Sequence, residues 1–287
     1  MKDLNMKENF TDITVAIITY NEEVNLPFTL RNIDGFAQDV VILDSGSSDN
    51  TIDIATSFGA RVFHRDFDNF SSQRKHLLNN IQFKTTWILV LDADEILTNE
   101  LKEEILSILP SSDKDAYFMK RRFYWMGEWV KRGYYPTNLL RLGKVGLINC
   151  DDREINEHMI CSTNLVGQLN HDFIDQNHKG LKEWVDKHNQ YSDREADALF
   201  LVDPNSYSLL NGQYSRKRWI RKNIWNNLPP VIRPFFYFFY RFVIKMGFLD
   251  GPKVAIYHFL HAFIYRVLID FKYLEKKWKI KKGRNVK

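Results

Sequence analysis

Residues 86–97, TWILVLDADEIL, decide how this chain is read. Trp87 to Leu91 form an unbroken apolar run rich in β-formers, which predicts a buried strand. Asp92, Asp94 and Glu95 follow at once, with only Ala93 between them. Carboxylates crowded at the end of a strand repel one another unless a cation lies among them. Asp-x-Asp suits a divalent ion such as Mg²⁺ or Mn²⁺, which prefers hard oxygen ligands and completes its shell with waters and phosphates. The competing reading is local. Asp92 caps a turn while Asp94 and Glu95 open a helix over 98–108, because acids favour helix N-termini.

Working outward, the first half alternates between two periods. DITVAIIT (12–19), VVILD (40–44) and ARVFH (60–64) read as strands. Residues 21–36, 48–59 and 70–81 read as helices, with polar caps at Ser48 and Asp49 and stops at Gly35 and Gly59. Strands alternating with helices predict a mostly parallel α/β sheet covered on both faces. Ligands of such sheets bind beyond the carboxyl ends of the strands. Three ends stand out: Thr19-Tyr20-Asn21-Glu22, Asp44-Ser45-Gly46-Ser47 and Asp92-Ala93-Asp94.

The set VAIITYNEE, VVILDSGSSDNT and WILVLDADE, in that order, resembles the family-2 glycosyltransferases with their Rossmann-like GT-A fold; the likeness covers roughly residues 12–100. The resemblance implies that Thr19, Tyr20, Asn21 and Glu22 hold the nucleotide of a UDP-sugar donor and that Asp44 meets its base. It implies that Asp92 and Asp94, with Ala93 between them, bind the metal and the diphosphate. Arg74 in SQRKHL stands where the family has an arginine aimed at base and phosphate, with Lys75 as its competitor.

The resemblance further implies an inverting displacement, with a carboxylate on the acceptor side as general base. That group must reach the nucleophile and stay ionised. REINEHM, LNHDF, KHNQYSDREADAL and GFLDGPKVAIYHFLHAFI look like a subgroup of bacterial lipopolysaccharide core β-glucosyltransferases that includes the WaaE-like enzymes. By that likeness Glu157 is the base, with Glu154 in reserve. Strand alternation puts the two on opposite faces, so only one would enter the site. His171 falls where the subgroup has a histidine: a third metal ligand, an acceptor contact or an ordinary loop histidine.

Composition divides the chain. Residues 1–204 carry 22 Lys and Arg against 33 Asp and Glu, whereas residues 205–287 carry 18 against 3 and hold 19 of the 41 aromatics. This predicts a transferase domain over 1–204, its acceptor half beginning near 101, and a basic aromatic helical tail over 205–287. Amphipathic helices of that composition lie in an anionic membrane interface, or pack as an oligomer contact between copies of the chain. Within this tail the longest stretch without Asp, Glu, Lys or Arg runs from Val254 to Tyr265, twelve residues. A spanning helix needs about 20 mainly apolar residues, so no transmembrane segment is expected. The polar start of the chain shows no signal-peptide pattern. Cys150 and Cys161 lack zinc-finger or disulfide-framework spacing.

The segment 117–136 interleaves aromatics with Lys and Arg, suited to sugar rings and an anionic acceptor. The acidic first part argues against a nucleic-acid partner. The expected protein is a peripheral enzyme on the cytoplasmic face of a bacterial inner membrane. It would move a hexose, glucose from UDP-glucose, onto a lipid-linked acceptor in the lipopolysaccharide core. Rival readings are a polyprenyl-linked glycan or capsule-precursor acceptor, a sugar nucleotidyltransferase, and a non-catalytic membrane adaptor.

Overall fold

β1 (Thr11–Thr19) lies between β2 (Ala37–Asp44) and β4 (Trp87–Asp92), parallel to both. In the computed structural model, which describes residues 11–151, 158–201 and 228–284, this central strand is covered on both faces. Ile13, Val15 and Ile17 pack with Leu26, Leu30 and Ile33 of α1 (Leu26–Ile33) and Leu101 and Ile105 of α4 (Asn99–Ile108). Ala16 points the other way, toward Leu77 and Leu78 of α3 (Phe70–Asn80). A strand covered on both sides loses its polar alternation, hence the near-continuous apolar run. The register sets Thr19 beside Asp44, and Ile18 beside Asp92. The conspicuous strand ends therefore lie side by side.

The sheet runs β3-β2-β1-β4-β8-β6-β11-β5. β3 (Arg61–His64) is parallel to β2, with α2 (Thr51–Ser57) between them in sequence. The other half is mixed. β8 (Thr137–Lys144) is antiparallel to both β4 and β6 (Ala116–Trp125), β11 (Val166–Gln176) is parallel to β6, and β5 (Glu95–Leu97) is antiparallel to β11. Glu95 is thus a strand residue, not the start of a helix. α4 begins only at Asn99, where the Thr98 side chain accepts a hydrogen bond from the Leu101 N–H. α1 also starts later than its pattern suggests. Residues 22–25 make a turn first, closed by the Asn25 and Leu26 N–H groups on the Glu22 carbonyl, and proline sits in the first helical turn.

β9 (Ile148–Cys150) and β10 (Met159–Cys161) form an antiparallel hairpin. Glu154 and Glu157 both fall within 152–157, outside the described residues.

The chain divides into two compact units. The first comprises residues up to 127 plus 134–179; the second comprises 128–133 plus 180 onward. The break after Lys179 lies ahead of the composition change near 204. The reason is α5 (Gly180–Leu201), an acidic helix that packs with the basic end of the chain. The second unit also contains β7 (Glu128–Trp129), α6 (Ile232–Phe239), α7 (Pro252–Tyr257) and α8 (Tyr265–Arg284). Residues 240–244 continue α6 as a π-helix, and residues 258–264 join α7 to α8 in the same form.

α5 and α8 are held by Lys272–Asp193 at 2.8 Å, by Lys276–Asp197, and by Tyr265 Oη and Arg266 on Glu195 at 2.7 and 3.1 Å. Arg233 and Asp270 form a buried ion pair, and the Asp270 carboxylate also accepts the Val231 N–H. The run Pro252–Lys282 is long and apolar enough to cross a membrane by length and composition. This corrects the expectation of no such segment. Counting uninterrupted apolar residues was too strict, because residues 254–271 contain only Arg266 and Asp270 as charges, and both are ion-paired.

Candidate active site

The β1 and β2 ends are bound into one loop cluster. Asp44 is fully buried. Its Oδ1 accepts the Gly46 and Ser47 N–H groups at 2.8 Å, and its Oδ2 accepts the Thr19 hydroxyl at 2.8 Å and the Ser47 hydroxyl at 2.5 Å. Thr19 and Asp44 therefore shape the turn together. Asn21 adopts the left-handed region at φ 54°, a conformation that asparagine tolerates better than most residues. There its Oδ1 accepts the Ser48 N–H at 2.8 Å, while its own N–H donates to Ser47 Oγ. Tyr20, between them, is 58% exposed.

Asp92 sits in a cage of two arginines. Arg74 Nη2 donates to Oδ1 at 2.7 Å and Arg141 Nη2 to Oδ2 at 2.9 Å. The same Arg141 group donates to Glu95 Oε1 at 2.5 Å, and Glu95 Oε2 accepts the Asp92 N–H at 2.9 Å. Burial alone would raise the Asp92 carboxyl, but the Arg141 and Arg74 guanidinium groups overcome it and hold Asp92 well below the usual carboxylate range. At Glu95 burial wins over Arg141, with Asp92 and Asp175 adding to the upward push. One guanidinium shared by the buried Glu95 and the partly exposed Asp92 does not compensate both fully.

Asp94 is placed differently. It is half-buried, its Oδ2 accepts the Asn177 side-chain N–H at 3.1 Å, and its carbonyl accepts the Gln176 N–H at 2.9 Å. The segment after β11 thus closes beneath the Asp-x-Asp turn. Lys179 pairs with Glu22 at 2.9 Å, the His178 N–H donates to Asn25 Oδ1, and the His178 ring stacks on Phe28 at 4.5 Å. From the other side α1 holds the turn: Thr29 Oγ1 donates to the Ala93 carbonyl at 2.7 Å, and Asn32 bonds both the N–H and the carbonyl of Leu97. Burial raises the Glu22 carboxyl, Lys179 works against that rise, and the charge of Asp94 adds to it.

The structure therefore brings Thr19, Tyr20, Asn21, Glu22, Asp44, Arg74, Asp92, Ala93 and Asp94 to one end of the sheet. It does not bring His171 there. His171 is exposed on β11, its N–H donates to Glu104 of α4, and it lies five residues before Gln176, roughly 16 Å along an extended strand. The histidine near the turn is His178. Among the described residues no three His, Cys, Asp or Glu side chains converge as a metal-binding group. Asp94, a hard oxygen donor with open surface, still fits an ion that keeps waters and takes its other oxygens from a diphosphate.

Sequence reasoning missed Arg141, Glu95, Asn177 and Lys179. Arg141 had a readable signal: NLLRLGK places a charge inside an apolar strand, and such a residue is buried only with a partner. Of the 117–136 cations, Arg121 pairs with Asp175 at 3.1 Å and Arg122 with Asp172 at 2.5 Å, while Tyr135 Oη donates to Asp172.

Residues 14–165 match the model described as Glycosyl transferase family 2, more than half of the chain. The chain belongs to that family. Among curated relatives of this family-2 chain, an uncharacterized glycosyltransferase of Rickettsia typhi is 30% identical over 129 residues, 44% of each chain. The present chain thus spans less than half the length of that relative. The lipopolysaccharide core biosynthesis glycosyltransferase LpsC of Rhizobium meliloti is 27% identical over 266 residues, covering 87% of this chain and 90% of LpsC. Among solved structures, residues 1–349 of S. aureus TarS align over 93% of this chain and 92% of that one, at 13% identity and a TM-score of 0.45.

Proposed function

We propose that this family-2 protein is an inverting, metal-dependent hexosyltransferase. It takes glucose from UDP-glucose and places it on an inner-core sugar of lipopolysaccharide, at the cytoplasmic face of the inner membrane. The observation that carries this reading is the division of labour in the Asp-x-Asp turn. Asp92 is locked and charge-compensated by Arg74 and Arg141, which leaves Asp94 open beside the nucleotide-binding loops. The near full-length likeness to a lipopolysaccharide core enzyme supports the acceptor class.

In this reading the Thr19–Glu22 segment and the Asp44 loop hold uridine, with the exposed Tyr20 ring available for stacking. Asp94 would hold Mg²⁺ or Mn²⁺, whose charge would offset that developing on the departing diphosphate. Arg74, at the edge of the Asp92 cage, faces the same charge. Glu157 takes the proton from the acceptor hydroxyl, whose oxygen then attacks the anomeric carbon as the bond to UDP breaks on the opposite face. The described residues that flank 152–157 are tethered to the Arg74 helix, since Ser71 Oγ of α3 donates to the Asp151 carbonyl and the Asp151 N–H donates to the His158 carbonyl.

The test is UDP release across a panel of UDP-sugars with Mg²⁺ or Mn²⁺, with and without EDTA. Metal-dependent turnover of UDP-glucose, lost in Asp94→Ala and Glu157→Gln, is expected. Activity surviving in Glu157→Gln would move the base, Glu154 first. No turnover of any donor with a heptose-containing core acceptor would reject glucose transfer to core.

A further inference from the structure

In the second unit, α6 is apolar on both sides. Its inner side contributes Phe238, whose ring meets Phe263 at 6.0 Å and Phe259 at 6.2 Å, and the buried Pro234. Its outer side should be polar in a water-soluble protein. Instead Ile232, Phe235, Phe236 and Phe239 fall at i, i+3, i+4 and i+7, on one face, and are 48–57% exposed, Phe235 at the margin of that face with its ring edge-on to Phe263 at 4.6 Å. The turn at 248–249 also exposes Phe248 and Leu249, the Phe248 ring meeting Phe242 at 5.9 Å. Exposed apolar residues concentrated in this way mark a place of contact.

Charge selects the partner. Between Ile232 and Ile264 the one acidic residue is Asp250, whose side chain is 2% exposed and bound by Arg132 at 2.5 Å. In the same stretch Lys245 stands exposed over the Tyr240 ring, while Lys253, also exposed, is engaged by Glu128 of β7 at 3.6 Å. An aromatic surface whose own stretch, 232–264, carries cations and no exposed acid complements an anionic lipid interface, where rings settle at headgroup depth.

We infer that the outer face of α6 and the turn at 248–249 form a monotopic wedge that inserts into one leaflet of an anionic phospholipid bilayer. This deepens the membrane placement proposed above and rests on it. The lysine-rich α8 is a weaker candidate, because Lys272, Lys276 and Lys279 are engaged by Asp193, Asp197 and Glu275 within the chain. Spanning by 252–282 would carry Arg266 and Asp270 into hydrocarbon or strip them from Glu195 and Arg233.

The test uses the full-length protein and vesicles of phosphatidylglycerol and phosphatidylethanolamine in equal parts, with pure phosphatidylcholine vesicles for comparison. Wild type should float with the anionic vesicles, and Phe236→Glu/Phe239→Glu should partition at least ~10-fold more weakly. Lys279→Ala/Lys281→Ala/Lys282→Ala should float nearly as wild type does. UDP release from UDP-glucose, read in parallel, should be unchanged in both variants, so failure of the transferase reading shows separately. As a check independent of folding losses, Phe236→Trp emission should shift to the blue and be quenched by brominated lipid. Undiminished flotation of the glutamate variant, loss of flotation in the lysine variant alone, or an unshifted Phe236→Trp spectrum would overturn the wedge. So would a dimer that dissociates in the glutamate variant while vesicle binding persists. Resistance of the wild type to alkaline carbonate extraction would replace it with a spanning helix.

Discussion

At the residue scale, Asp92 and Asp94 are two positions apart and chemically unlike. Asp92 is bound by two buried guanidinium groups, whereas among the described residues the half-buried Asp94 carboxylate accepts the Asn177 side-chain N–H and pairs with no cation. Asp94→Ala is expected to lower metal-dependent turnover by about 10²-fold or more while leaving the melting temperature near wild type. Arg141 is the reverse case. Removing it strands the buried Glu95 carboxyl and leaves Asp92 to Arg74 alone, so Arg141→Ala should cost about 3–5 kcal/mol in urea unfolding. Arg141→Lys should recover only part of this, because an ammonium lacks the fork that spans Asp92 and Glu95. A wild-type midpoint for Arg141→Ala would show that the cage contributes little to folding.

At the element scale, α3 aligns the arginine cage. Its N-terminus is capped by Asn69, whose side chain accepts the Ser72 N–H at 2.8 Å. Asn69→Ala should destabilise the protein by about 1 kcal/mol in thermal unfolding. Turnover should fall only modestly, because Arg74 lies beyond the first turn. In the second unit, the exposed lysine–carboxylate pairs between α5 and α8 are each worth ~0–1 kcal/mol, so ring packing around His188 contributes more to holding the helices. His188 stacks on Trp184 at 3.8 Å and meets Tyr265 edge-on at 4.9 Å.

At the scale of the whole molecule, those buried rings make stability depend on pH. Burial pushes His188 and His258 down to about 4, and His261 well below its ordinary value. Arg266, Arg241 and Lys187 disfavour a further charge there, while Glu195 and Asp250 favour it. Because the folded state binds these protons more weakly, the unfolded chain protonates first as pH falls below about 6.5. The histidine contribution to stability should therefore be full above about pH 6.5 and decline toward pH 4. Glu95, pushed up to about 8, contributes with the opposite sign between its ordinary value and about pH 8. The slope should reach about 1.4 kcal/mol per pH unit for each histidine, read from urea midpoints across that range. Replacing His188 with Phe should flatten the curve.

The alternating pattern over residues 12–100 determined the parallel half of the sheet and its site-bearing end. Long apolar strands such as VAIIT and WILVLD admit few arrangements once both faces must be covered. That same stretch carried the Thr19–Glu22 and Asp44–Ser47 loops and the Asp-x-Asp turn. Only the tertiary structure decided which carboxylate is open, because Arg141 reaches Asp92 and Glu95 from a strand nearly fifty residues away. It likewise decided that Glu95 belongs to β5, that His171 stands apart from the site, and that acidic α5 joins the basic helices. The charges of the last 83 residues were plain in composition. Their use was not, since an ion pair and a lipid-facing cation look alike until the partner helix is in place.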